Sequence, residues 1–238
     1  MPGDFSSNSG RRALASCIAI LLGGSLAACG GGGGSDAPQQ SQDPPTAPPT
    51  TPPPTPPPAD PLPPLAATAI DINDNHAIGA DHWPSGATSD GAQGQPVNGI
   101  ECLANMPEDY HVHTHLSIFL NGEQLAVPGD VGIVTQQDGT HCFYTVHTHD
   151  KSGKLHIEAA APGTYTLGQF FAEWGEPLAT DNIAGLTGMP ITVYMNDAGV
   201  VSKVTTEWKD IELKSHREIT IQIGTAITEI PTYTWAAN

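Results

Sequence analysis

The sequence predicts an α+β domain, mostly antiparallel β-sheet and hairpins with one short covering helix. Three observations predict it. Polar and apolar residues alternate at a period of two through HVHTHLSIFL and again through Ile219, Ile221 and Ile223, the pattern of half-buried strands. Turn residues punctuate the strand-like runs at Asn121-Gly122, Asp150-Lys151-Ser152-Gly153 and Asn196-Asp197-Ala198-Gly199, where hairpins are expected. A single stretch, with Leu167, Phe170, Phe171 and Trp174 on one stripe, carries a helical period. A barrel-like closure of the sheet is compatible with this pattern, and no internal repeat is visible.

The first quarter of the 238-residue chain stands outside any core. Arg11-Arg12 precede an apolar run over residues 13–26 that ends in Leu26-Ala27-Ala28-Cys29. A basic start, a short apolar stretch and small residues before a cut describe a secretory signal peptide, too short to span a membrane. Leu26-Ala27-Ala28-Cys29 resembles the lipobox of bacterial prolipoproteins. The resemblance implies cleavage after residue 28, lipidation of Cys29, and an anchor on the extracytoplasmic face of the cell envelope, in the periplasm or at the surface. The alternative is an ordinary cleaved signal with a chance cysteine. Residues 29–65 then form a Gly/Pro-rich stalk. Its proline tract extends at about 3.1 Å per residue and could hold a domain roughly 70 Å from the membrane. Residues 66–98 read as an irregular lead-in rich in Asp, Asn, Gly and Pro. Asp71-Ile72-Asn73-Asp74-Asn75 faintly resembles a calcium loop but lacks its glycine and closing glutamate. Residues 99–238 are the histidine-rich β domain.

Lys and Arg total 8 against 25 Asp and Glu, a net charge of -17. Such a surface repels nucleic acid and anionic lipid and attracts cations. Cys17 leaves with the signal and Cys29 is lipidated, so Cys102 and Cys142 are expected to pair in an oxidising compartment. Thiolate ligation is the alternative. It is disfavoured because Cys142, five positions before His147, faces away from it on a regular strand.

Within the domain, Asn121-Gly122 turns the first histidine strand into a second at residues 123–127, closed by Pro128-Gly129. A short apolar strand is expected at residues 131–134. Thr166 and Gln169 have capping-box form, and Gly175 ends the helix. An aromatic stripe of this kind is more often core than ligand pocket, so this helix is read as covering the sheet. Residues 191–195 and 200–205 flank a further turn. His216, in Lys214-Ser215-His216-Arg217, is expected at the surface.

Six of the chain's 10 histidines fall in two segments, His111-Val112-His113-Thr114-His115 and His147-Thr148-His149 with His156 close behind. On the first strand the parity puts the imidazoles on one face and Val112, Leu116, Ile118 and Leu120 on a different side from them. The turn at residues 150–153 predicts a hairpin in which either His147 or His149 lies opposite His156. Opposed residues have Cβ atoms about 4.5–5.5 Å apart, and Glu158 shares their face. Histidine is neutral enough at pH 7 to bind metal and is the commonest side-chain ligand. The expected metal ligands are His113, His115, His147, His149 and His156, with His111 and Glu158 peripheral. Five exceeds the four of tetrahedral zinc, so some histidines would be supporting groups, or the site would hold two ions. Imidazole-rich, thiolate-poor donors suit zinc or copper.

HVHTHLSIFLNG, CFYTVHTHDKSGKLHIE and TLGQFFAEWG together resemble a family of uncharacterised exported bacterial and archaeal domains. The resemblance spans residues 99–238 and implies the domain boundary, with no activity attached. Known motifs do not extend it. A zincin helix motif is absent, Ser152 stands where the metallo-β-lactamase motif needs histidine, and residues 116–120 hold none of the acidic residues a cupin strand would supply. No nucleophile elbow, phosphate loop or dinucleotide fingerprint is present. Three function classes follow. The first is a membrane-anchored metal-binding lipoprotein, whose partners are the metal ion and the membrane through Cys29, with no nucleic acid. The second is a metal-dependent hydrolase with Glu158 or Asp150 as base. The third is a structural envelope domain with a histidine cluster.

Overall fold

A computed structural model describes residues 61–72 and 76–235. The signal peptide, Cys29, the stalk up to residue 60 and Asn73-Asp74-Asn75 lie outside the described residues. The elements in chain order are β1 (Ile70–Asp71), β2 (Tyr110–Leu120), β3 (Glu123–Leu125), β4 (Ile133–Thr135), β5 (His141–Phe143), β6 (Val146–His147), β7 (Lys154–Ala159), α1 (Leu167–Trp174), β8 (Leu178–Ala179), β9 (Asn182–Ile183), β10 (Leu186–Thr187), β11 (Ile191–Asp197), β12 (Val200–Lys203), β13 (Glu218–Ile223) and β14 (Tyr233–Thr234). The class is α+β and mostly β. The main sheet runs β12-β11-β13-β2-β7-β6, with β3 also paired to β2. It is open, so a closed barrel is excluded among the described residues. Its outer strands β12 and β6 do not pair with each other. No described helix is long and apolar enough to cross a membrane.

Strand β2 is the axis. Its first half pairs antiparallel with β7, from Tyr110↔Ala159 to His115↔Lys154. Its second half pairs with β3 on one side and, in parallel, with β13 on the other. The β2–β3 turn is Asn121 at φ 52 and Gly122 at φ 87, a two-residue turn whose left-handed residues match strand twist. Parallel insertion of β13 between β11 and β2 is the departure from simple hairpin order. All six residues of β13 are buried, which is how a central strand differs from a half-exposed one.

Parity divides the sheet. Leu116, Ile118, Leu155, Ile157, Val146, Ile219, Ile221 and Ile223 face one core, into which α1 sets Leu167, Phe170, Phe171 and Trp174. The helix has the expected capping box: Gln169 N–H donates to Thr166 Oγ1, and the Thr166 N–H donates to Gln169 Oε1. Gly175, at φ 81, closes it. On the opposite face β1 pairs with β14, and Ile227, Ile230 and Tyr194 form a separate cluster with Phe119. The lead-in is irregular but packed: Ile72 is buried, and Thr88 Oγ1 donates to the Gly175 carbonyl.

Cys102 and Cys142 form a disulfide with Cα atoms 5.3 Å apart. It ties the approach to β2 to β5, so the lead-ins of both histidine segments are linked. The bond spans 40 residues, and loop-closure entropy alone would stabilise the fold by about 4 kcal/mol. Cys102→Ala/Cys142→Ala is therefore expected to lower the unfolding free energy by a few kcal/mol in guanidinium titration. An unchanged midpoint and slope would show that the loop is already ordered in the unfolded chain.

Candidate metal centre

The β7 strand lies between β2 and β6, and its register sets the site. His113 is paired with His156, His111 with Glu158, and His147 with His156 from the other side. Of the two hairpin registers the sequence allowed, the one with His147 opposite His156 is present. The pairing ends there, because Thr148 leaves the hairpin for the segment before β4. Its N–H donates to the Val131 carbonyl, and its hydroxyl donates to the Pro128 carbonyl. Gly132 makes that approach possible. It holds φ +77, and a Cβ there would meet the Val146 carbonyl oxygen and press on His147 Cβ. His149 is thereby carried out to an exposed position beside the cluster.

Two sets of side chains bring their donor atoms within 4.8 Å of one another: His147, His149, His156 and Glu158, and His111, His113 and His156. The nearest pairs are His111 Nε2 to His113 Nε2 at 2.9 Å and His113 Nε2 to His156 Nδ1 at 3.1 Å. Glu158 Oε1 lies 3.2 Å from His111 Nε2, 3.5 Å from His156 Nδ1 and 3.7 Å from His147 Nε2. Two donors on one tetrahedral ion with bonds of 2.0–2.1 Å would sit about 3.3–3.4 Å apart. The observed spacings bracket that value. His113, His147, His156 and Glu158 are buried, whereas the His111 side chain is 37% exposed and His149 is exposed. The cluster therefore has a closed floor and an open rim.

His147 carries the most informative geometry. Its Nδ1 lies 2.9 Å from the Tyr144 carbonyl oxygen, and a carbonyl only accepts, so Nδ1 holds the proton. The lone pair is then on Nε2, which is buried without a hydrogen-bond partner, as is Glu158 Oε2. A buried polar atom without a partner costs about 1–3 kcal/mol. An imidazole whose far N–H is held by a backbone carbonyl is the usual posture of a metal-binding histidine. Burial holds the His147 imidazolium pKa down at about 4; neighbouring His156 and His149 add to the effect, and Glu158 opposes it. Burial, with His156 and His111 nearby, holds His113 at about 3. Both rings are neutral at pH 7, the state that binds metal.

His115, expected as a ligand from its parity, stands apart from both sets. Its Nε2 donates to the Ser152 carbonyl at 2.8 Å, and its Nδ1 accepts from Ser117 Oγ at 3.3 Å. Tyr233 stacks on the ring with centroids 3.6 Å apart and hydrogen-bonds Ser117. Both ring nitrogens are thus engaged within the protein. His111 and Glu158, expected at the periphery, each lie among the donors, because the β2–β7 register places them directly opposite each other. Asp150 caps its own turn, accepting from Ser152 N–H at 2.9 Å. His216 is exposed and stacks on Trp235.

No model of a known protein family matches the chain, and neither the curated proteins nor the solved structures contain a match to it.

Burial also lowers the His115 pKa to about 3. Its unfolded value is near 6.5, so between these limits the unfolded chain binds the extra proton. The contribution is complete above pH 6.5 and is lost as pH falls toward 3. In the metal-free chain, His115→Gln is expected to flatten the pH dependence of unfolding free energy between pH 4 and 6 by about 1.4 kcal/mol per pH unit. An unaltered slope would contradict a neutral, buried His115.

Proposed function

We propose that this chain is a membrane-anchored, extracytoplasmic metal-binding lipoprotein that holds zinc or copper on histidines of adjacent β-strands. The observation that carries the reading is the aimed, proton-free and unpartnered Nε2 of His147 among His149, His156 and Glu158. Imidazole and carboxylate donors without thiolate suit zinc and copper(II), and the two cysteines among the described residues are joined to each other. The leader residues Arg11-Arg12 and Leu26-Ala27-Ala28-Cys29 support export and an acylated N-terminus. The net charge of -17 favours accumulation of cations around the domain.

Binding is preferred to hydrolysis because Glu158, one of the two candidate bases, lies inside the donor cluster. A base needs a free carboxylate facing the substrate. One observation favours the enzymatic reading: a cleft of about 260 Å³ beside His149, lined by His76, Asp130, Asp150 and Lys151 among others. A metal-loaded chain that hydrolyses ester or phosphoester substrates, with activity lost in Asp150→Asn and metal retained, would favour catalysis.

The direct test is elemental mass spectrometry of the full chain purified without a histidine tag, beside His147→Ala/His156→Ala. Stoichiometric zinc or copper in the parent, lost in a folded double variant, is the expected result. A parent that holds no metal after reconstitution with either ion would overturn the reading.

A further inference from the structure

Six side chains make up the two donor sets, more than one tetrahedral ion accepts. No single set of mutually close donors takes in all six among the described residues. Two donors on one ion can be no farther apart than twice the bond, about 4.2 Å for zinc–nitrogen distances, so the six as arranged do not share one centre. Their distribution follows the strand order. Strand β2 supplies His111 and His113, β7 in the middle supplies His156 and Glu158, and His147 with His149 comes from β6 and its continuation. A pair of imidazoles therefore flanks each side of a central imidazole and carboxylate.

Glu158 occupies the junction. Its Oε1 is 3.2 Å from His111 Nε2 on one flank and 3.7 Å from His147 Nε2 on the other. Its Oε2 is buried without a partner. Glu158 nevertheless belongs only to the set with His147 and His149, and His156 is the residue common to both donor sets. The β2 flank is already compact, with donor separations of 2.9 and 3.1 Å along His111, His113 and His156.

We propose that the centre takes two divalent transition-metal ions, one on His147 and His149 and one on His111 and His113. Glu158 completes the first set, and His156, common to both sets, lies between the ions. This rests on the metal-binding reading above and fixes its stoichiometry. Each ion would have one buried and one exposed histidine, His147 with His149 for the first and His113 with His111 for the second. The second ion would retain a position for water or an anion, since its set supplies three side-chain donors.

The experiment is a zinc titration of the chelator-stripped full chain, read by elemental and native mass spectrometry. Circular dichroism checks the fold of each variant. Two ions per chain are expected in the parent, one in His111→Ala/His113→Ala and one in His147→Ala/His149→Ala. His111→Ala, at a partly exposed position, supplies a milder rim variant and is expected to weaken the second ion by tenfold or more. The copper(II)-loaded parent should give an electron paramagnetic resonance signal integrating to well below two spins, because the ions couple. The folded rim variant should recover one isolated spin. One ion at saturation in the parent would overturn the two-ion centre and leave metal binding intact. So would a second ion that persists in His111→Ala/His113→Ala. No ion at all would overturn both.

Discussion

The antiparallel register of β7 between β2 and β6 is the constraint on which the site depends. Pairing His113 with His156 and His147 with His156 places three imidazoles in one row across three strands, with His111 and Glu158 forming the next row on β2 and β7. A slip of β7 by one residue would send His156 and Glu158 into the apolar core and bring Leu155 and Ile157 to the polar face. The burial of Leu155, Ile157, Val146 and Leu116 under α1 therefore holds the polar cluster in place from the far side of the sheet. The disulfide adds a second restraint by joining the segments that lead into both histidine runs.

Much of this was legible in the sequence because it is local. The parity of HVHTHLSIFL, the left-handed Asn121-Gly122 turn and the Thr166/Gln169 capping box each depend on residues within a few positions of one another. The structure contains all three. What was not legible depends on distant parts of the chain. Parallel insertion of β13 beside β2 is a choice of neighbour, which periodicity does not encode. His115 has the same parity as His113, yet Tyr233, 118 positions later, stacks on it, and the Ser152 carbonyl accepts a hydrogen bond from its N–H. The central placement of Glu158 and His111 was available in principle, since a correct β2–β7 register would have paired them. That register requires knowing that β7 returns to β2 rather than pairing with β6 alone.

The electrostatics of the cluster follow from where it sits. At the end of the sheet the polar face is covered on the floor and open at the rim, so His113 and His147 are desolvated enough to remain neutral while His111 and His149 meet solvent. Neutral imidazoles present lone pairs, and packing several around one carboxylate leaves more acceptors than protons. A cation would resolve that excess. The same donors without one would have to hold N···N contacts of 2.9 and 3.1 Å through shared protons, while His147 Nε2 and Glu158 Oε2 stayed unpaired.

The most direct test of this account is anomalous diffraction at the zinc edge from crystals of the zinc-loaded chain. The account predicts a peak within about 2.0–2.1 Å of His147 Nε2, on the face shared with His156 and Glu158. Zinc found only at exposed histidines such as His76, His82, His141 or His216, with the space at His147 Nε2 empty, would contradict it.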